Sequence, residues 1–184
     1  MARISTCALR ALGVVCRTTR VFKNPATFVT LYRSLTRSQL EHASPVWNGS
    51  CKTTLLRLER VQNKFLSIYR YRYLRDETSL SKSNNVLDVL QMNSLYHRRE
   101  KADLVFLFKV LHGMADCSEL LSQICLRVPR TATRLTTSFY SPRTLNILDP
   151  MFRMCRTYNG IASDLDIFCV TEFVRSLRVL YESR

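Results

Sequence analysis

The stretch "LTRSQLEHASPVWNGSCKTTLLRLERVQNKFLSIYRYRY", residues 35–73, holds the only tryptophan of the chain, a proline inside a helical pattern and a row of cations. Within about residues 53–71, Leu58, Val61, Phe65, Ile68 and Tyr69 recur at three- and four-residue intervals, the spacing of one buried helix face. Arg57, Arg60 and Lys64, at i, i+3 and i+7, fall together on a different face. One side of this helix is therefore expected in a core and another to carry positive charge. Its end alternates Tyr69, Arg70, Tyr71, Arg72 and Tyr73, which offers guanidinium groups for phosphates next to rings for base stacking.

Working back from that helix, Pro45 ends or kinks the preceding one near Ala43, because a proline lacks the backbone donor and disfavours helix in the residue before it. Trp47 is then expected buried in the corner between two helices, where indole removes much area from water. The earlier helix starts at Asn24 as N-cap with Pro25 in its first position. Phe28, Leu31, Leu35 and Leu40 mark its apolar face. Before it, "MARISTCALRALGVVCRTTR" contains no acidic residue, and the first in the chain is Glu41. Arg3, Arg10 and Arg17, seven apart, line one helix face, with Ile4, Ala8, Ala11 and Val15 on another. That composition also describes a mitochondrial transit peptide.

Working forward, "RDETSLSKSNN" carries a linker at 76–85, followed by a short helix near 86–91 and a longer one over about 95–112. The longer helix is apolar nearly all round between Leu104 and Leu111, with Gly113 as its C-cap. A short helix follows, capped by Asp116. Residues 126–150 lose the pattern. They are rich in Thr, Ser and Arg and read as an extended arm with at most one short strand near 136–140. Helix returns at "MFRMCRTYNGIA" and in the last segment, where Asp164 or Asp166 can cap. The expected architecture is all-α, an irregular bundle of about six helices with the arm. A helical region spans 1–125, the arm 126–150, and the C-terminal helices of 151–184 pack on the same domain. Trp47, Leu58, Val61, Phe65, Leu104 and Leu107 are the expected core.

Composition narrows the function classes. The 184 residues suffice for one ordinary domain, and the 46% apolar share is that of a globular chain. Lys plus Arg number 28 against 14 acidic residues, a net charge of +14, and 22 of the 28 are arginine. Such an excess points to an anionic partner, with nucleic acid the commonest. Seven scattered cysteines include no C-x-x-C pair, which argues against a zinc site or a disulfide framework and for buried thiols in a reducing compartment. No apolar run reaches the length of a membrane span. The four glycines build no phosphate loop, dinucleotide fingerprint or nucleophile elbow. His42, His97 and His112 have no metal spacing, and Asp164 with Asp166 reads as helix capping. Neither catalysis nor any cofactor is expected.

The ordered run of motifs "LYRSLTRSQLEHASPVWNGSCKTTLLRLERVQNKFLSIY" resembles the region beyond the polymerase domain in reverse transcriptases of jockey-like non-LTR retrotransposons. Those chains read like "LY.SLVRS.LEYAS.VW.P" followed by "LERVQ.KFLR". Upstream, "ALRALGVVCRTTRVFKNP" is similar to the family's "KA...LGF..R....F..P". Downstream, "LQMNSLYHRREKADLVFLFKVLHGMADCSELL" is similar to "L.L.SL..RR...DL.FLYKILHG.IDCPELL", and "RTYNGIASDLDIF" also fits a family segment. Thr36 stands where the family has valine, His42 where it has tyrosine, and Gly49 where it has proline. The resemblance implies a fragment lying downstream of the polymerase palm. This sequence holds no adjacent Asp-Asp pair of the kind that carries the two metal ions of phosphoryl transfer.

The resulting expectation is a non-catalytic helical region whose partners are the backbone of template RNA or target DNA and the polymerase domain of the parent protein, with no membrane and no small-molecule substrate. Arg57, Arg60, Lys64, Arg70, Arg72 and Tyr71 are the candidate binding residues. A scaffold that packs on the polymerase without touching nucleic acid is one alternative, and a mitochondrial protein of another role is a second. The first two readings place the protein in the cytoplasm or nucleus.

Overall fold

The computed structural model describes residues 2–22, 24–74, 86–127, 138–140, 149–162 and 165–182. It is all-α, with six helices of seven residues or more and no strand among the described residues. The chain divides into two compact units, one of residues 1–43 and 50–98, the other of residues 44–49 and 99–184.

In the first unit, helix α1 (Ala2–Thr18) buries Ala8, Leu12 and Val15, spaced by four and three residues. Thr19 extends that row, its hydroxyl donating to Val15 O at 2.6 Å. Arg3, Arg10 and Arg17 stay exposed on the opposite side. Helix α2 (Pro25–Leu31) begins as the sequence suggests. Asn24 accepts from the Ala26 amide at 2.9 Å and Pro25 occupies the first turn, where its missing donor costs nothing.

The next turns depart from expectation. Residues Tyr32–Arg37 form a π-helix that runs into α3 (Ser38–Glu41). The buried row is Phe28, Tyr32, Thr36 and Leu40, while Leu35 is 46% exposed and Leu31 half-buried. An α-helix returns to one face after about 3.6 residues and a π turn takes more, so a segment mixing the two repeats near every fourth residue. Tyr32 is held there by stacking on Phe65, with centroids 3.7 Å apart and planes within 8°. The chain leaves α3 through Ala43 at φ 52°, the break that Pro45 signalled.

Helix α5 (Lys52–Tyr73), 22 residues long, is the spine of this unit. Leu58, Val61, Gln62, Phe65, Leu66 and Tyr69 are buried on one face, with Phe28 and Tyr32 against Phe65. Helix α6 (Val86–Val89) closes in a six-to-one Schellman turn, Met92 N donating to Leu87 O at 2.8 Å, with Gln91 at φ 48° in the position that glycine favours. Arg98 forks onto the Glu41 carboxylate through Nε and Nη2. The linker read at 76–85 lies outside the described residues.

The second unit begins with the one-turn helix α4 (Ser44–Trp47). Trp47, expected buried, is half-buried here, on a turn of helix that packs against α9. Helix α7 (Leu95–Leu111) contributes its residues from Arg99 onward. Leu104, Leu107, Phe108 and Val110 join Met151, Met154, Tyr158, Phe173, Leu177 and Tyr181 in one core cluster. Phe108 and Phe173 stack at 4.2 Å. Gly113 ends α7 at φ 64°, its amide on Val110 O and that of Met114 on Lys109 O, the Schellman pattern the sequence suggested.

Helix α8 (Ser118–Ser122) is preceded by Cys117 at the N-cap, so Asp116 stands one residue too early to cap it. Helix α9 (Pro150–Asn159) is capped by Asp149, which accepts from Met151 N at 2.9 Å. Helix α10 (Val170–Glu182) starts beyond both aspartates proposed as caps. Asp166 accepts instead from Phe168 N in the turn before it, and Asp164 lies outside the described residues. Most of the extended arm does too. Of its strand only a single antiparallel bridge, Leu126 to Phe139, is described. Phe139 is buried, and Asn159 accepts from its amide and donates to its carbonyl like a neighbouring strand.

Candidate nucleic-acid interface

Consecutive residues of an α-helix point about 100° apart, which places the cations of α5. Arg57, Lys64 and Tyr71 are seven apart and form one row roughly opposite Leu66, with Arg60 beside it. Arg57, Arg60 and Lys64 are all exposed, and Tyr71 is 67% exposed. The row from Arg57 to Tyr71 is about 21 Å long at 1.5 Å per residue. The structure thus brings together three of the nominated cations and one nominated ring.

The other two nominated arginines part from that row. Arg70 is exposed, about a third of a turn away on the flank of Asn63. Arg72 points towards the core. Its Nη2 donates to Cys16 O at 2.9 Å, its Nη1 to Thr19 Oγ1 at 3.2 Å, and its guanidinium carbon sits 5.2 Å from the centre of the Phe28 ring. Arg72 is therefore a clamp between α1 and α5, with its donors turned away from any ligand on the outer face. The neighbouring tyrosines are committed as well. Tyr69 is buried, and Tyr73 lies 5.2 Å from it and 6.0 Å from Phe28. The alternation of ring and cation is thus not a cluster, because residues i, i+1 and i+2 of a helix do not face the same way.

Helix α1 packs on α5, and the environment of Cys16 records which cations gather at that contact. Burial pushes the Cys16 thiol above its ordinary value, while Arg72, Lys64 and Arg17 pull it back. Arg17, which the sequence reading placed only in an N-terminal stripe, thus lies near enough to Cys16 to act on its thiol.

A second polar constellation, in the second unit, was not nominated. Asp103, 1% exposed, accepts from Arg153 Nε at 3.1 Å and from Asn48 Nδ2 at 2.8 Å, and Arg153 Nη2 also reaches Pro45 O at 2.6 Å. Buried Arg99 donates to Asn48 Oδ1 at 3.2 Å. Burial holds the Asp103 carboxyl above its usual range, opposed by the bonds from Arg153 and Asn48. This is a staple that ties residues 45–48 to α7 and α9. A cavity of about 410 Å³ in the same unit is bordered by Glu100, Arg153, Arg156 and Thr157, and Arg57, Arg60, Lys64, Arg70, Tyr71 and Arg72 do not line it.

Among the described residues no three His, Cys, Asp or Glu side chains are grouped to hold a metal ion, and no helix is long and apolar enough to cross a membrane. No family model, curated protein or solved structure matches this chain.

Proposed function

We propose that this protein binds the backbone of RNA or DNA through the exposed face of α5, as a non-catalytic piece of a jockey-like non-LTR reverse transcriptase from beyond its polymerase domain. The observation that carries the binding reading is the segregation on α5. Arg57, Arg60 and Lys64 share one exposed side of a helix whose other side is core, in a chain of net charge +14. Cations fixed on a rigid helix, with apolar residues behind them, can neutralise successive phosphates without reading base edges. The ordered motifs described above support the family origin, and the absence of an adjacent Asp-Asp pair in the sequence supports the lack of polymerisation.

Binding by unrelated oligonucleotides of equal length tests the proposal. Replacing Arg57, Arg60 and Lys64 together with glutamine weakens all of them to a similar degree. Unchanged affinity in this triple variant would leave the helix as a packing scaffold. Primer extension by the purified chain would contradict the non-catalytic part.

A further inference from the structure

Helix α1 carries a cation row of its own. Its buried residues, Ala8, Leu12 and Val15, define the side that packs on the π segment, α3 and α5. At about 100° per residue, Arg3, Arg10 and Arg17 fall within about 35° of the line directly opposite that side. All three are exposed, and the row spans about 21 Å at 1.5 Å per residue. Among the described residues none of the three is paired with a carboxylate, and no acidic residue precedes Glu41 in the chain. Cations spaced along a line suit an extended polyanion, whereas a small anion needs donors that converge on one point. An anionic membrane is also extended, but a helix lying in its surface buries an apolar face there. Here that face, Ala8, Leu12 and Val15, is already in the core, and only Leu9 and Val14 remain as exposed large apolar residues of the helix.

We infer that the Arg3, Arg10 and Arg17 row is a second face for the nucleic-acid backbone, distinct from the one on α5. Each guanidinium meets a phosphate through charge-assisted contacts, and no base edge is read. The row turns away from the elements that α1 packs on, so its contacts come in addition to those of Arg57, Arg60 and Lys64. Arg72 holds the C-terminal end of α1 through Cys16 O and Thr19 Oγ1, and so fixes the helix that carries the row. Nothing in this depends on a binding role for α5.

The experiment measures affinity of the full chain for a fluorescent oligothymidylate over a salt series. The triple variant Arg3→Gln, Arg10→Gln, Arg17→Gln is expected to flatten the slope of log affinity against log salt by about 2, at roughly 0.7 for each lost contact. The triple Arg3→Lys, Arg10→Lys, Arg17→Lys keeps the charge and is expected to keep the slope. All three positions are exposed, and unchanged helical circular dichroism confirms the fold of each variant. An unaltered slope in the glutamine triple overturns the inference, and the Arg57, Arg60 and Lys64 triple then decides the role of α5 by itself. Equal flattening by the lysine and glutamine triples also overturns it, since charge would not be what acts. Vesicles of phosphatidylserine and phosphatidylcholine supply the competing polyanion. Vesicle sedimentation lost in the glutamine triple, with the oligothymidylate slope kept, would make this a lipid face and overturn the nucleic-acid assignment.

Discussion

Thr36 offers a test of the packing in the first unit. It is fully buried in the π segment, and its Oγ1 has no hydrogen-bond partner. A hydroxyl taken from water without compensation costs about 1–3 kcal/mol on mutational scales. Valine has the same branched shape and puts a methyl group where the hydroxyl is, so Thr36→Val removes the penalty without opening a cavity. A gain of about 1–2 kcal/mol is expected. For a chain of this size that raises the thermal midpoint by about 2–8 °C. Thr36→Ser keeps the hydroxyl and deletes the methyl, so it is expected to destabilise by about 1 kcal/mol. Urea unfolding followed by circular dichroism reads both, with the transition slope unchanged if compactness is unchanged. A loss of stability in Thr36→Val would refute the reasoning, because it would mean the hydroxyl is bonded in the folded chain. Valine is also the residue of the reverse-transcriptase pattern at this position, so the same substitution asks whether the resemblance extends to the core.

Further perturbations probe other joints. Asp103→Asn leaves the Arg153 guanidinium without its counter-charge and is expected to cost about 3 kcal/mol in denaturant unfolding. A paired Asp103→Leu, Arg153→Met variant recovers most of that loss. Arg72→Gln removes two charge-assisted bonds and a ring contact, about 2 kcal/mol, and hydrogen exchange should show the loss at the C-terminal end of α1. Iodoacetamide at neutral pH is expected to label Cys51 first, since it is exposed and its thiol is lowered by hydrogen bonds from Thr53. Cys155 should label last, because burial pushes its thiol to about 12. Mass spectrometry of timed digests gives the order.

What the sequence disclosed follows the range of the forces involved. The core and cationic faces of α5, the Asn24 cap and the Gly113 terminus depend on residues within a turn or two, and they read directly. Leu58, Val61, Phe65, Leu104 and Leu107 are buried as the spacing indicated. The π segment did not read, because Tyr32 is drawn inward by stacking on Phe65, 33 residues away, and no local pattern encodes that partner. Trp47 is less buried than expected for a similar reason. Its segment joins the later part of the chain through Asp103 and Arg153, a contact across more than 50 residues. Arg72 could have been read correctly. Its angle on the helix lies between those of Val61 and Phe65, and the alternating Tyr and Arg letters concealed it. Asp103 needed the fold, since it takes its meaning from Arg153 on another helix.

The salt dependence of single-strand binding tests the central claim most directly. Four of the exposed cations on α5, namely Arg57, Arg60, Lys64 and Arg70, give a slope of log affinity against log salt of about −3, at roughly −0.7 for each phosphate contact. Glutamine at Arg57, Arg60 and Lys64 is expected to flatten the measured slope by about 2 and to weaken unrelated sequences alike. A slope that stays near its original value in that variant would contradict the account.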